Sequence, residues 1–117
     1  MFTNGLLLWP KISEELSECL EWIRFNVGVA DAHSYGKYYG VSGSAFNTVC
    51  DNIHYYCALK NQKSEAGIGT AVNKDNFKFA KNIPFTAIKL GATYCQIKPD
   101  ILLMRSKKYI NWWTDCV

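Results

Sequence analysis

At 117 residues, with 49% apolar and 20% charged side chains, the chain has the composition of one small folded domain and not of a disordered segment. Its net charge of +3 is carried by scattered lysines, which gives no footprint for nucleic acid, and no apolar stretch approaches the ~20 residues that cross a bilayer. Five cysteines (Cys19, Cys50, Cys57, Cys95, Cys116) never stand closer than seven positions apart, a pattern of neither disulfide frameworks nor zinc sites, and it suggests a reducing, cytoplasmic setting.

Pro10 suits the first turn of a helix, where its missing N–H would be unpaired anyway. Ile12, Leu16, Cys19 and Leu20 then recur at helical spacing among Glu14, Glu15, Glu18 and Glu21, which predicts an amphipathic helix over 10–21. Trp22 to Val27 is a strand-prone run. Residues 28–43 read as irregular, broken by four glycines, with one helical turn around His33–Tyr39. A second helix is predicted over 44–60, with Phe46, Val49, Ile53, Tyr56 and Cys57 on its apolar face and Gly43 or Ser44 at its cap. Ala66–Val72 reads as the next strand. A helical pattern from Phe77 to Leu90 follows, kinked or split by Pro84 and stopped at Gly91. Tyr94–Ile97 is a third short strand closed by Lys98-Pro99, and the tail 101–117 holds a further helix with Trp112 and Trp113. Helix and strand alternate, so the class is α/β with a parallel sheet and covering helices.

Six segments, in order, resemble the strands and helices of one family. Thr3-Asn4-Gly5-Leu6-Leu7 is similar to the end of the third strand in radical S-adenosylmethionine (radical SAM) enzyme barrels, and Trp22-Ile23-Arg24-Phe25-Asn26-Val27 to the fourth. The loop from Asp31-Ala32-His33-Ser34-Tyr35 to Gly40 resembles the turn that follows, and Phe46, Val49, Asn52 and Ile53 the fourth helix. Ile68-Gly69 through Val72-Asn73, with Asn76, resembles the fifth strand and its exit; Gly91-Ala92, Tyr94 and Ile97-Lys98-Pro99 resemble the sixth. The resemblance covers about residues 3–99 and implies a partial, half TIM-type barrel over 1–100 with 101–117 as a tail.

In the complete family domain, three cysteines of a loop after the first strand hold a [4Fe–4S] cluster, which cleaves bound S-adenosylmethionine to a 5′-deoxyadenosyl radical. No C-x-x-x-C-x-x-C segment occurs here, nor does the second strand's Gly-Gly-Glu motif. The resemblance therefore implies a fragment that is inactive alone, holds no cluster and binds S-adenosylmethionine weakly or not at all. Met1 directly before the third-strand motif suggests an internal start.

By resemblance, Asn26 falls near the cofactor ribose, although a strand-end Asn also satisfies loop backbone. Gly28 stands where many members have Asp. Tyr39 replaces a carboxylate-binding Arg, for which Lys37 is a point-charge substitute or simply a solvated lysine. Gly67 and Gly69 either let the adenine approach closely or serve packing. Asn73 at the strand exit reads as a ligand contact or as turn chemistry, and Lys98 at the mouth of the sixth strand as ligand-facing or solvated. His33 and His54 lack partners at metal or triad spacing, Cys50 and Cys57 read as inert thiols, and Tyr35, Tyr38 and Tyr39 as packing. No catalytic residue and no metal ligand is assigned.

The alternative function is a non-catalytic α/β module acting through protein–protein contact. Either way the expected partner is a second copy completing the barrel, or a missing N-terminal segment, with no nucleic acid and no membrane. A half barrel is also expected to leave Ile23, Phe25, Ile68 and Ile97 poorly covered on its inward face.

Overall fold

Aromatic and β-branched runs become four strands: β1 (Phe2–Thr3), β2 (Trp22–Asn26), β3 (Glu65–Val72) and β4 (Tyr94–Pro99). In the computed structural model, which describes residues 1–59 and 63–116, they form one sheet in the order β1-β2-β3-β4, every pair parallel. The α/β class holds. Among the described residues the sheet is open, with β1 and β4 as edges and no closure into a barrel.

Among the described residues five α-helices accompany the strands: α1 (Pro10–Cys19), α2 (Ala32–Tyr39), α3 (Ser44–Cys57), α4 (Ile83–Leu90) and α5 (Lys107–Cys116). α1 starts at Pro10 as its sequence predicts, and its Ile12–Leu16 stripe packs against the core. Ser13 and Ser17 are its buried residues. Their hydroxyls donate to Leu8 O at 3.0 Å and Glu14 O at 2.8 Å, so two small side chains bring the helix close at no hydrogen-bonding cost. Ile12, Leu16 and Leu20 are only partly buried.

α2 is a full eight residues where one turn was expected. Asp31 caps it by accepting the Ser34 N–H at 2.8 Å, and Gly40 ends it at φ 67°. α3 is capped by Gly43 without a side-chain bond and ends at Cys57; the predicted end at Lys60 lies outside the described residues. The 77–90 pattern is split. Phe77–Phe79 forms a 3-10 turn, and Pro84 sits in the first turn of α4, not in its interior.

The tail docks at the exits of β3 and β4, through α5. Buried Tyr109 donates to Val72 O and accepts the Asp100 N–H at 2.9 Å, and Trp112 meets Phe77 edge-on with centroids 5.4 Å apart.

Alternation along the strands sorts the sheet into two faces. Ile23, Phe25 and Ile68 lie on the helix side at 0% exposure, with Val49, Ile53, Tyr56 and Ile83. The expectation that these three form a wet inward face is thus corrected: the helices cover them, and only Ile97, at the β4 edge, is left exposed. The opposite face carries Arg24 and Asn26 of β2, Gly67 and Gly69 of β3, and Tyr94, Gln96 and Lys98 of β4.

Candidate functional site

The open face deepens into a cleft of about 420 Å³ near the carboxyl ends of β2, β3 and β4. In parallel sheets this is where ligands bind, because the connecting loops diverge there and leave strand-end groups free. Asn26, Gly28, Gly69 and Lys98 line it, with Arg24, Thr70, Ala71, Phe2, Tyr38 and Tyr39.

Gly69 provides the floor. A β-carbon there would stand 2.8 Å from Arg24 Cδ and 3.1 Å from its Nε, so the guanidinium arm lies flat across the glycine. The same arm is held from above by Phe2, whose ring centroid is 4.3 Å from Cζ, and donates from Nη1 to Gln96 Oε1. Its Nε is buried without a hydrogen-bond partner.

Gly28 is required for a different reason. Its N–H donates to the Tyr39 hydroxyl at 3.0 Å, and a β-carbon would come within 2.8 Å of that same oxygen. Burial pushes the Tyr39 hydroxyl up to about 12, with the Gly28 N–H acting against it and nearby Tyr35 and Tyr38 adding to it. Tyr39 is therefore a neutral phenol at ordinary pH, with its own proton available to donate. Thr70 closes the back wall by donating to Val27 O at 2.7 Å.

The remaining predicted residues fall elsewhere. Gly67 sits under the Tyr94 ring, which a β-carbon would collide with, so the glycine makes room for that ring. Lys37 and Asn73 line an adjoining larger hollow of about 810 Å³ with Lys74, Asp75 and Lys78. Asn73 Nδ2 donates to Tyr38 Oη at 3.1 Å and its Oδ1 accepts the Asp75 N–H at 2.9 Å, so its side chain is used by the turn. Asn76 is fully buried and holds that turn on β3, accepting the Asn73 N–H at 2.8 Å and donating to Ala71 O at 2.9 Å.

Sequence reasoning missed Arg24 and Gln96 as site residues. The signal was present: both fall on the same side of their strands as Asn26 and Lys98. Cys50 and Cys57 are partly buried thiols whose burial pushes each up to about 11, against Lys89 for Cys50 and unopposed for Cys57. Among the described residues no three His, Cys, Asp or Glu side chains converge on a point. No helix among them is long and apolar enough to cross a membrane.

Comparison of the chain with protein-family models, with curated proteins and with solved structures finds no match. The fold class therefore rests on the sheet and helices themselves, as an α/β domain with a four-stranded parallel sheet.

Proposed function

We propose that this chain is a middle portion of a radical S-adenosylmethionine enzyme domain, corresponding to strands three to six, and that it keeps one wall of the cofactor pocket without being active alone. One observation carries the reading. Four residues that the motifs single out independently, Asn26, Gly28, Gly69 and Lys98, line a single cleft at the carboxyl ends of parallel strands that lie in sequence order.

The fit is partial. The Asn26 amide and the Tyr39 phenol offer neutral donors and acceptors for ribose hydroxyls, and Gly69 keeps the floor low. The described side chains do not suit an iron–sulfur cluster, so no step through one is assigned to this chain. Affinity for S-adenosylmethionine is accordingly weak, in the millimolar range, because each absent charge-assisted contact removes roughly 1.5–3 kcal/mol. Isothermal calorimetry tests this. A millimolar Kd that weakens further in Asn26→Ala supports the reading, and micromolar affinity or an Asn26→Ala variant that binds unchanged contradicts it.

A second reading, a module acting by protein contact, is favoured by the outer face of α4. Phe85 and Ile88, three positions apart, are 72% and 74% exposed. The partner that fits is a second copy. Residues 77–117 carry seven basic and two acidic side chains, whereas 10–21 carry four glutamates and one lysine. The α4–β4 side of one copy thus complements the α1–β1 side of another, and two such junctions join both pairs of open edges. Light scattering on the wild type and on Phe85→Ser/Ile88→Ser tests it. A dimer that the double variant dissolves supports the reading; a monodisperse, thermally stable wild-type monomer contradicts it.

A further inference from the structure

The cleft holds two cations and no anion. Arg24 and Lys98 both line the cleft, and no aspartate or glutamate does. Neither forms an ion pair among the described residues, although Lys98 is half-buried and the Arg24 Nε is cut off from solvent. A guanidinium or ammonium placed this way loses hydration without recovering it from a carboxylate.

Both side chains line one cleft although their strands are separated by β3. Arg24 pairs with Gly67, yet its side chain runs along the sheet over Gly69 and reaches Gln96. Gln96 and Lys98 are two residues apart on the same face of β4, on adjacent rungs. The guanidinium is thus delivered to β4 at the residue two positions before the lysine, on the same face. It is also fixed there, between the Phe2 ring and the glycine floor, with the neutral amide of Asn26 across the same cleft.

We infer that this cleft is an anion site, taking the carboxylate or phosphate group of a small ligand between Arg24 and Lys98. In the radical S-adenosylmethionine reading the anion is the substrate's, held beside the cofactor. The inference shares the cleft with that reading but needs no cofactor, and it stands if S-adenosylmethionine does not bind. Lys98 supplies the mobile charge and Arg24 the fixed one. Gly69 is a positioning residue, since a methyl group there displaces the Arg24 side chain without touching the ligand.

The test is a titration of the ¹⁵N-labelled chain with inorganic pyrophosphate and, separately, malonate, at constant ionic strength held with chloride. Saturable shifts at the amides of Gly69, Ala71, Gln96 and Lys98 are expected, and the tighter of the two probes identifies the phosphate or carboxylate source. Lys98→Ala should weaken binding at least about tenfold, the loss of one charge-assisted contact. Gly69→Ala should also weaken it, with an unchanged far-UV spectrum showing the fold intact. Lys107→Ala, an exposed lysine outside the cleft, should change nothing. Shifts that never saturate, that spread over surface lysines, or that survive Lys98→Ala unchanged would overturn the site.

Discussion

On the helix side of β2, Ile23 and Phe25 have no contact with water; on the other side of the same five residues, Trp22 and Asn26 are exposed and Arg24 lies flat along the sheet. The covered face is held by apolar burial and edge-on aromatic contact, as between Phe25 and Tyr56 with centroids 5.9 Å apart. The open face is held by shape. Glycines at 67 and 69 admit Tyr94 and Arg24, and polar groups remain at the strand ends. The difference separates what makes the domain fold from what is left for a ligand.

The largest effect expected from breaking this contrast is on the covered face. Phe25→Ala should cost about 3–5 kcal/mol in urea unfolding, because the ring is fully buried and its neighbours cannot collapse into the space. One residue on, Asn26→Ala should change stability by less than about 0.5 kcal/mol. Equal losses at both positions would erase the distinction between the faces.

Next comes the turn after β3. Asn76→Ala should cost about 1–3 kcal/mol, since it leaves the Asn73 N–H and the Ala71 carbonyl without their side-chain partner. Gly67→Ala should cost about 1–3 kcal/mol by pushing the Tyr94 ring aside. That cost should shrink when Tyr94→Ala is added, so the pair is non-additive in a double-mutant cycle. Strict additivity would mean that the ring is not what fills the glycine's space.

How far the sequence disclosed this contrast depends on the residue. The period of two in Trp22–Asn26 shows two faces but not which one is covered, and the barrel expectation put Ile23 and Phe25 on the wrong side. Only the helices decide that, and their docking is a long-range fact. α2 exceeds the single turn expected although Asp31 and Gly40 mark its ends, because Gly36, a poor helix former, lies inside it. Of the seven residues singled out by resemblance, Asn26, Gly28, Gly69 and Lys98 line one cleft; Asn26 and Lys98 stand at or beside strand ends and Gly28 just beyond one, while Gly69 lies within β3. Arg24 shares the side of Asn26 in that period of two, but the reach of its side chain across β3 to Gln96 is not carried by the period.

The smallest effect concerns the thiols at the boundary of the core. Burial raises Cys50 and Cys57 from 9.0 to about 11, so folding favours the protonated form. Their contribution is complete below pH 9 and is lost as pH climbs toward 11, and buried tyrosines add a loss of the same sign from pH 10 upward. The urea midpoint should fall between pH 9 and 11, and fall less in Cys50→Ala/Cys57→Ala. At pH 8, peptide mapping after brief iodoacetamide treatment should show exposed Cys19 alkylated well before Cys57. Equal labelling would place Cys57 outside the core boundary.

The most direct measurement is a ¹H–¹⁵N map of the chain titrated with S-adenosylmethionine to millimolar concentration. The account predicts fast-exchange shifts confined to the strand ends around Asn26, Gly28, Gly69 and Lys98, with the amides of Ile23, Phe25 and Ile68 unmoved. Shifts centred on the helix side of the sheet, or no shift at the strand ends at saturating ligand, would contradict it.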